Sequence, residues 1–234
     1  KRQYIRSKTM KFIIDDANVE AIKNLYEFFP VEGVTTNPSI LAKSGRAPYE
    51  VLGEIREIIG ADADLHVQVV SKKAEDMVRE AKVICEKLGQ NTYVKVPTTR
   101  EGLKAMKALS KEGIKITATA IYTPMQAYLA GKAGADYAAP YVNRIDNLGA
   151  NGVEAAKKIH DIFKNNGLKT EVLAASFKNS QQVLELCEYG IGAATIAPDV
   201  IEGLIKNASV TSAVEAFTSD FEGLCGEGKT MENC

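Results

Sequence analysis

LHVQVVSKKAEDMVREAKVICEKLGQNTYVKVP, residues 65–97, sets two short runs rich in β-branched residues on either side of a segment with helical period. Leu65 to Val70 reads as a strand and the stretch from Lys72 as a helix, with Gly89 placed to stop it. Thr92 to Pro97 then reads as the next strand. A strand, a helix and a strand in so short a span form a βαβ unit, which implies parallel pairing. The same alternation continues in both directions. Upstream, Phe12 to Ala17 reads as a first strand and Gly33 to Asn37 as a second. Between them Asn18 is a natural N-cap for a helix that places Val19, Ile22, Leu25, Tyr26 and Phe29 on one face. Downstream, Lys115 to Tyr122, Tyr137 to Val142, Glu171 to Ser176 and Ala193 to Ala197 complete a set of eight strands. Helical stretches begin near Arg100 and Pro124.

Eight such alternations in about 200 residues fit one α/β domain, a small (β/α)8 or TIM barrel, better than an open doubly wound sheet. No G-x-G-x-x-G follows the first strand, which counts against a dinucleotide site. The expected organisation is a leader or added remnant over 1–9, a barrel over 10–208, and a C-terminal helix, Val210 to Phe221, with a Gly-rich polar tail in 209–234.

A formal net charge of −1 gives no electrostatic reason to expect nucleic acid or an anionic membrane as partner. The longest uncharged stretch, Ile116 to Gly131, is broken by Thr, Pro and Gln and does not read as a membrane span. Cys85, Cys187, Cys225 and Cys234 form no C-x-x-C, and His66 is remote in sequence from His160. Neither a zinc site nor a disulfide framework is expected from that spacing. A reduced, cytoplasmic protein without metal or cofactor follows as the simplest expectation.

In such a barrel the reactive groups stand at the C-terminal ends of the strands. The polar residues there are Asp15 and Asp16, then Thr35, Thr36 and Asn37, then Gln68, Lys95 and Thr119. Tyr141, Asn143, Arg144 and Asp146 follow the sixth strand, and Ser176 and Lys178 the seventh. Alternation sends Asp15 and Asp16 to opposite sides, so at most one faces the axis. Lys95 admits two readings. It either snorkels its charge to water from a buried stem, or is held in apolar surroundings where its amine loses a proton and becomes a nucleophile. A carboxylate inside the barrel needs a partner, and for Asp15 that partner is expected to be Lys95.

The stretches GVTTNPS (33–39), VKVPTT (94–99), APYVNRID (139–146) and LAASFK (173–178) resemble those of the small-subunit transaldolase family, most closely its fructose-6-phosphate aldolase branch. The resemblance runs in order from Met10 to about Phe221. It implies a metal-free class I aldolase mechanism and a homodecamer of two pentameric rings in which the last helix packs on a neighbour. Carried to this chain, it makes Lys95 the Schiff-base lysine and Asp15 the carboxylate beside it. Gln68, Thr119 and Tyr141 occupy the places that hold the catalytic water in the aldolase branch. Transaldolases proper have glutamate and phenylalanine where this chain has Gln68 and Tyr141. Arg144, Ser176 and Lys178 match phosphate-binding positions, although transaldolases usually have a second arginine at the place of Lys178. Thr35 and Asn37 are expected to bind hydroxyls of a dihydroxyacetone unit, with a turn and helix start as the alternative for TTNPS.

Three functions stand at this point. One is an aldolase that cleaves fructose 6-phosphate to dihydroxyacetone and glyceraldehyde 3-phosphate, or joins them. Another is a transaldolase that passes the dihydroxyacetone unit between sugar phosphates in the pentose phosphate pathway. The last is a sugar-phosphate-binding barrel without catalysis, against which the presence of Lys95, Asp15 and Tyr141 argues.

Overall fold

The computed structural model describes residues 9–234. Apart from Thr9, the basic segment expected to be a leader lies outside the described residues. Eight strands, β1 (Lys11–Asp15), β2 (Gly33–Thr35), β3 (Asp64–Gln68), β4 (Thr92–Pro97), β5 (Ile116–Ile121), β6 (Tyr137–Pro140), β7 (Glu171–Ala174) and β8 (Ala193–Ile196), pair in sequence order. They form a closed barrel. The closing pair, β8 with β1, is parallel like the others and runs from Lys11 opposite Ala193 to Ile14 opposite Ile196. This is the (β/α)8 architecture expected from the alternation.

The helices are α1 (Val19–Phe28), α2 (Pro38–Lys43), α3 (Pro48–Ile59), α4 (Ala74–Leu88), α5 (Arg100–Lys111), α6 (Pro124–Lys132), α7 (Val142–Asp146), α8 (Gly152–Asn165), α9 (Ser180–Tyr189), α10 (Pro198–Gly203) and α11 (Ala208–Cys225). Asn18 caps α1 as expected, its side chain accepting from Ala21 N. Gly89 ends α4 with a φ of 87° that only glycine adopts freely. Ile22 and Leu25 are the fully buried members of the expected α1 face. Each contributes about 1.5–3 kcal/mol relative to an exposed side chain. The turn and helix start that TTNPS offers as an alternative is where α2 begins, with Asn37 as its N-cap, whereas no bounds follow from the sequence for α3, α7, α8, α9 and α10.

Strand residues that face outward, among them Val34, Leu65, Val94, Val96, Ile116, Ala118 and Ile196, are buried. That is why these strands read as near-continuous apolar runs. Inside the barrel, Ile13, Tyr137, Ala139, Leu173 and Ala193 form an apolar plug with Tyr93 packed on it. His66 stacks on Tyr93 at 4.6 Å between ring centroids and receives or donates a 2.8 Å hydrogen bond at Thr117. Burial first, then the charges of Lys95 and Lys11, holds the His66 imidazole well below its usual pKa. The barrel therefore has a closed, neutral floor beneath its C-terminal mouth.

Close backbone approach fixes the wall that carries Lys95. A Cβ on Gly102 would lie 1.8 Å from the carbonyl oxygen of Pro97, so only glycine lets α5 begin this near the end of β4.

The chain divides into one compact unit that runs through Ile201 and a second, Glu202–Cys234. In the second, Asn207 caps α11 through Ser209 N, and no residue of the helix is buried. Here the expectation of free cysteines is corrected. Cys225 and Cys234 are joined in a disulfide, with Cα atoms 5.9 Å apart. The nine-residue spacing closes because α11 ends at Cys225, Gly226 and Gly228 take positive φ, and Cys234 N folds back on Thr230 O. Cys85 and Cys187 remain free. Among the described residues no helix is long and apolar enough to cross a membrane, and no cluster of His, Cys, Asp and Glu could hold a metal ion.

Candidate active site

All eight strands, or the residues directly after them, line one cavity of about 330 Å³ at the C-terminal mouth. That size lies at the small end of the range for small-molecule sites. Asp15 comes from β1, Thr35 from β2, Gln68 from β3, Lys95 from β4 and Thr119 from β5. Tyr141 follows β6, Ser176 follows β7, and Thr195 lies on β8. Asn37 and Arg144 complete the polar lining. A larger cavity of about 800 Å³ beside it shares only Asp15 with this set.

Strand register explains the grouping. Asp15 is level with Thr35, Gln68 with Lys95, and Pro97 with Thr119. Asp16 lies past the end of β1, where its carboxylate accepts from Ala17 N and Asn18 N. One acid thus faces inward and its neighbour caps a turn.

Lys95 is only 6% exposed, and its Nζ donates to the main-chain carbonyl of Thr36 at 2.7 Å. The expected ion pair with Asp15 is not formed, and among the described residues Lys95 has no ion-pair partner. Asp15 instead accepts from Thr35 Oγ1 at 2.7 Å. The physical reason is that each charged group finds a nearer neutral partner on β2 or just beyond it. Burial pushes the Lys95 amine below its usual pKa, opposed by the charge of Asp15. It also pushes the Asp15 carboxyl up, opposed by Lys95 and by the Thr35 hydrogen bond. Both groups move toward neutrality.

Thr35 Oγ1 lies 2.6 Å from Thr195 Oγ1. Since Thr35 has one proton and gives it to Asp15, Thr195 is the donor in that pair. Thr195 was missed by the sequence reading; a lone hydroxyl near the C-terminal end of strand AATI was the signal available. Across the cavity, Thr119 Oγ1 and Tyr141 Oη are 2.7 Å apart. A register shift between Ala118 and Ile121 spans Thr119, with Ala120 at a φ of 57°. Bulges of this kind redirect side chains at barrel rims.

Arg144, on α7, stacks over the Tyr141 ring at 4.7 Å. Ser176 enters the cavity lining with a φ of 61°, a left-handed conformation that costs a non-glycine residue roughly 1–2 kcal/mol. Asn37 serves twice, since it lines the cavity while its Oδ1 caps α2 through Ile40 N at 3.0 Å. Lys178 is the one expected site residue that does not line the cavity. Its side chain is exposed, and its N–H donates to Gln182 Oε1.

The arrangement offers a buried amine held below its usual pKa, an acid, a hydroxyl pair and an arginine around one small cavity. A family profile described as Transaldolase/Fructose-6-phosphate aldolase matches residues 12–231. The chain belongs to that family. Proteins similar to it include ones named "Probable transaldolase" from Thermodesulfovibrio yellowstonii, 44% identical over 92% of this chain and 99% of the relative, and from Clostridium botulinum, 43% identical over 94% and 100%. One from Methanococcus maripaludis is 42% identical over 91% and 98%. Membership makes the chain an enzyme of the aldolase and transaldolase type, in which a Schiff-base lysine is characteristic.

Solved structures that share the fold include an enolase from Sargasso Sea environmental sequencing, with a TM-score of 0.56 at 14% identity. A mandelate racemase/muconate lactonizing enzyme-like protein from Rubrobacter xylanophilus has a TM-score of 0.59 at 13% identity. The matches cover 83% and 85% of this chain but only 53% and 60% of those larger ones, and at such identities they speak to the barrel alone.

Proposed function

We propose that the protein is a class I aldolase that cleaves fructose 6-phosphate into dihydroxyacetone and glyceraldehyde 3-phosphate, or runs the reverse addition. The observation that carries this reading is the pair Gln68 and Tyr141 beside Lys95, with the Tyr141 hydroxyl hydrogen-bonded to Thr119. Neutral Lys95 adds to the C2 ketone and water leaves to form an iminium. Loss of the C4 hydroxyl proton then lets the C3–C4 electrons flow into the iminium, which releases the aldehyde and leaves an enamine. Protonation of the enamine at C3 and hydrolysis by water free dihydroxyacetone and restore the amine. Gln68 can orient a water but cannot accept its proton, so Tyr141 acts as the general acid and base through a water held by Gln68 and Thr119. Asp15 binds a substrate hydroxyl and tunes Lys95. Thr35 and Asn37 face the three-carbon unit. Arg144 and Ser176 take the phosphate, the planar guanidinium matching two of its oxygens, and Lys178 adds a charge from the adjoining loop.

A second reading, transaldolase, is favoured by the names of the relatives at 42–44% identity. It differs in the fate of the enamine, which would add to an aldose phosphate rather than be protonated. The deciding experiment measures free dihydroxyacetone released from fructose 6-phosphate with and without erythrose 4-phosphate. Steady release without the acceptor supports the aldolase; turnover that requires the acceptor overturns it in favour of the transaldolase.

By resemblance the assembly is a homodecamer of two pentameric rings, with α11 on a neighbouring subunit. That no residue of α11 is buried supports that reading. The expectation of a cytoplasmic location rests on cysteines too far apart in sequence to form a disulfide framework. The Cys225–Cys234 bridge argues the other way, since such bonds are rare in reducing compartments outside hyperthermophiles. A thiol count on protein quenched inside cells distinguishes the two.

A further inference from the structure

Lys95 must aim a lone pair at a ketone, and the structure shows what holds its nitrogen. The acceptor is not the carboxylate in the cavity but the Thr36 main-chain oxygen, at 2.7 Å. A carboxylate in that place would favour the ammonium form, whereas a neutral carbonyl fixes direction with far less charge stabilisation. A neutral amine has two N–H bonds and one lone pair. With one N–H committed to Thr36, the lone pair can be turned to the cavity, and the iminium formed later keeps one N–H for the same oxygen.

That oxygen is itself anchored. Thr36 is fully buried one residue beyond β2, with its N–H and its hydroxyl both donating to the His66 carbonyl, at 2.9 and 3.1 Å. These two hydrogen bonds tie the end of β2 to β3. We infer that Thr36 is a positioning residue for the nucleophile, its carbonyl orienting Lys95 Nζ and its hydroxyl holding that carbonyl in register against His66. The inference rests on the Schiff-base reading proposed above. It assigns a task to a residue whose side chain never enters the cavity.

The test measures how fast the purified full-length protein forms the borohydride-trapped dihydroxyacetone adduct, located by mass at Lys95. Thr36→Val keeps the shape and removes the hydroxyl, and Thr36→Ser keeps the hydroxyl. The limiting rate should fall about tenfold in Thr36→Val, with half-saturation within about twofold of the parent, and return to within about threefold in Thr36→Ser. Replacing Asn37 by its α-hydroxy acid turns the Thr36–Asn37 peptide into an ester, whose carbonyl is a weaker acceptor. This variant should be slowed as well, and it decides the matter if Thr36→Val does not fold. Parent-like rates in the ester variant or in a folded Thr36→Val overturn the inference, as do equal losses in Val and Ser, which would point to a packed site that tolerates no change rather than to the hydroxyl. An unlabelled parent overturns the Schiff-base reading and this inference together; a labelled parent with unaffected variants overturns only the second.

Discussion

Lys95 and Asp15 face the same cavity without touching, and that separation has a measurable consequence. An amine that reacts when deprotonated gains activity as pH rises through its pKa, so burial of Lys95 brings the active limb below the range of a free lysine. Asp15 opposes that fall by stabilising the ammonium. Asp15→Asn removes the opposition and should move the rising limb of adduct formation with dihydroxyacetone to still lower pH. A limb that stays put or moves upward would show that the acid does not act on the amine. Tyr141 makes a different demand on the same cavity. Tyr141→Phe deletes the hydroxyl bonded to Thr119 and should lower kcat for cleavage by about 10² or more, the usual scale for a positioned acid or base. An unchanged kcat would remove Tyr141 from that role. Of these groups, Lys95, Asp15 and Tyr141 were legible because each is a polar side chain at a strand end. Thr36 stands among the same strand-end residues, but its task was not legible, because what it offers the nucleophile is a backbone oxygen available in principle from any residue type, and only the strand register shows which one arrives.

Among the elements, α7 is five residues long and carries Arg144, so its placement depends on its neighbours. Asp146, at its last position, accepts from Gly152 N of α8 and from Gln182 Nε2 of α9, both at 2.7 Å. Gln182 cannot simply turn its amide, because its Oε1 already accepts from Lys178 N. Asp146→Asn therefore sets one amide donor against another and should cost about 1–3 kcal/mol of stability in a denaturant titration. It should also raise KM for the phosphorylated ketose more than it lowers kcat, since Arg144 moves and Lys95 does not. An unaltered KM would separate Arg144 from the phosphate. The strands themselves were readable because runs buried on both faces are apolar to within a residue or two of their ends, and β4 has the expected bounds, Thr92 to Pro97. β1 ends at Asp15, earlier than its composition suggests, because the Asp16 carboxylate turns back on the next two N–H groups. α2 was legible only as the helix start that TTNPS offers, and α3 escaped because the Gly45–Arg46–Ala47–Pro48 joint breaks the apolar period and Ala47 offers no capping side chain.

For the whole molecule the question is what the residues beyond Ile201 contribute. Every strand and every residue lining the proposed site precedes Pro198, and the barrel closes on itself through β8 and β1. None of the residues lining the proposed site therefore belongs to α11. Yet α11 carries Val210, Val214, Phe217 and Leu224, each more than half exposed, at intervals that place them along one side of a helix. Covering four such side chains is worth roughly 6–12 kcal/mol before the entropy of association is subtracted. If a second copy supplies that cover, ending the chain after Asn207 should leave the helix-dominated circular dichroism of the barrel and adduct formation at Lys95 intact. The mass in solution should fall to a smaller assembly. Phe217→Asp should act in the same direction with the helix still in place, because a carboxylate in a closed interface lacks both water and a partner. Light scattering on the three proteins decides it: an unchanged mass after truncation removes α11 from the assembly, and loss of the adduct at Lys95 would mean that the site depends on the C-terminal segment after all.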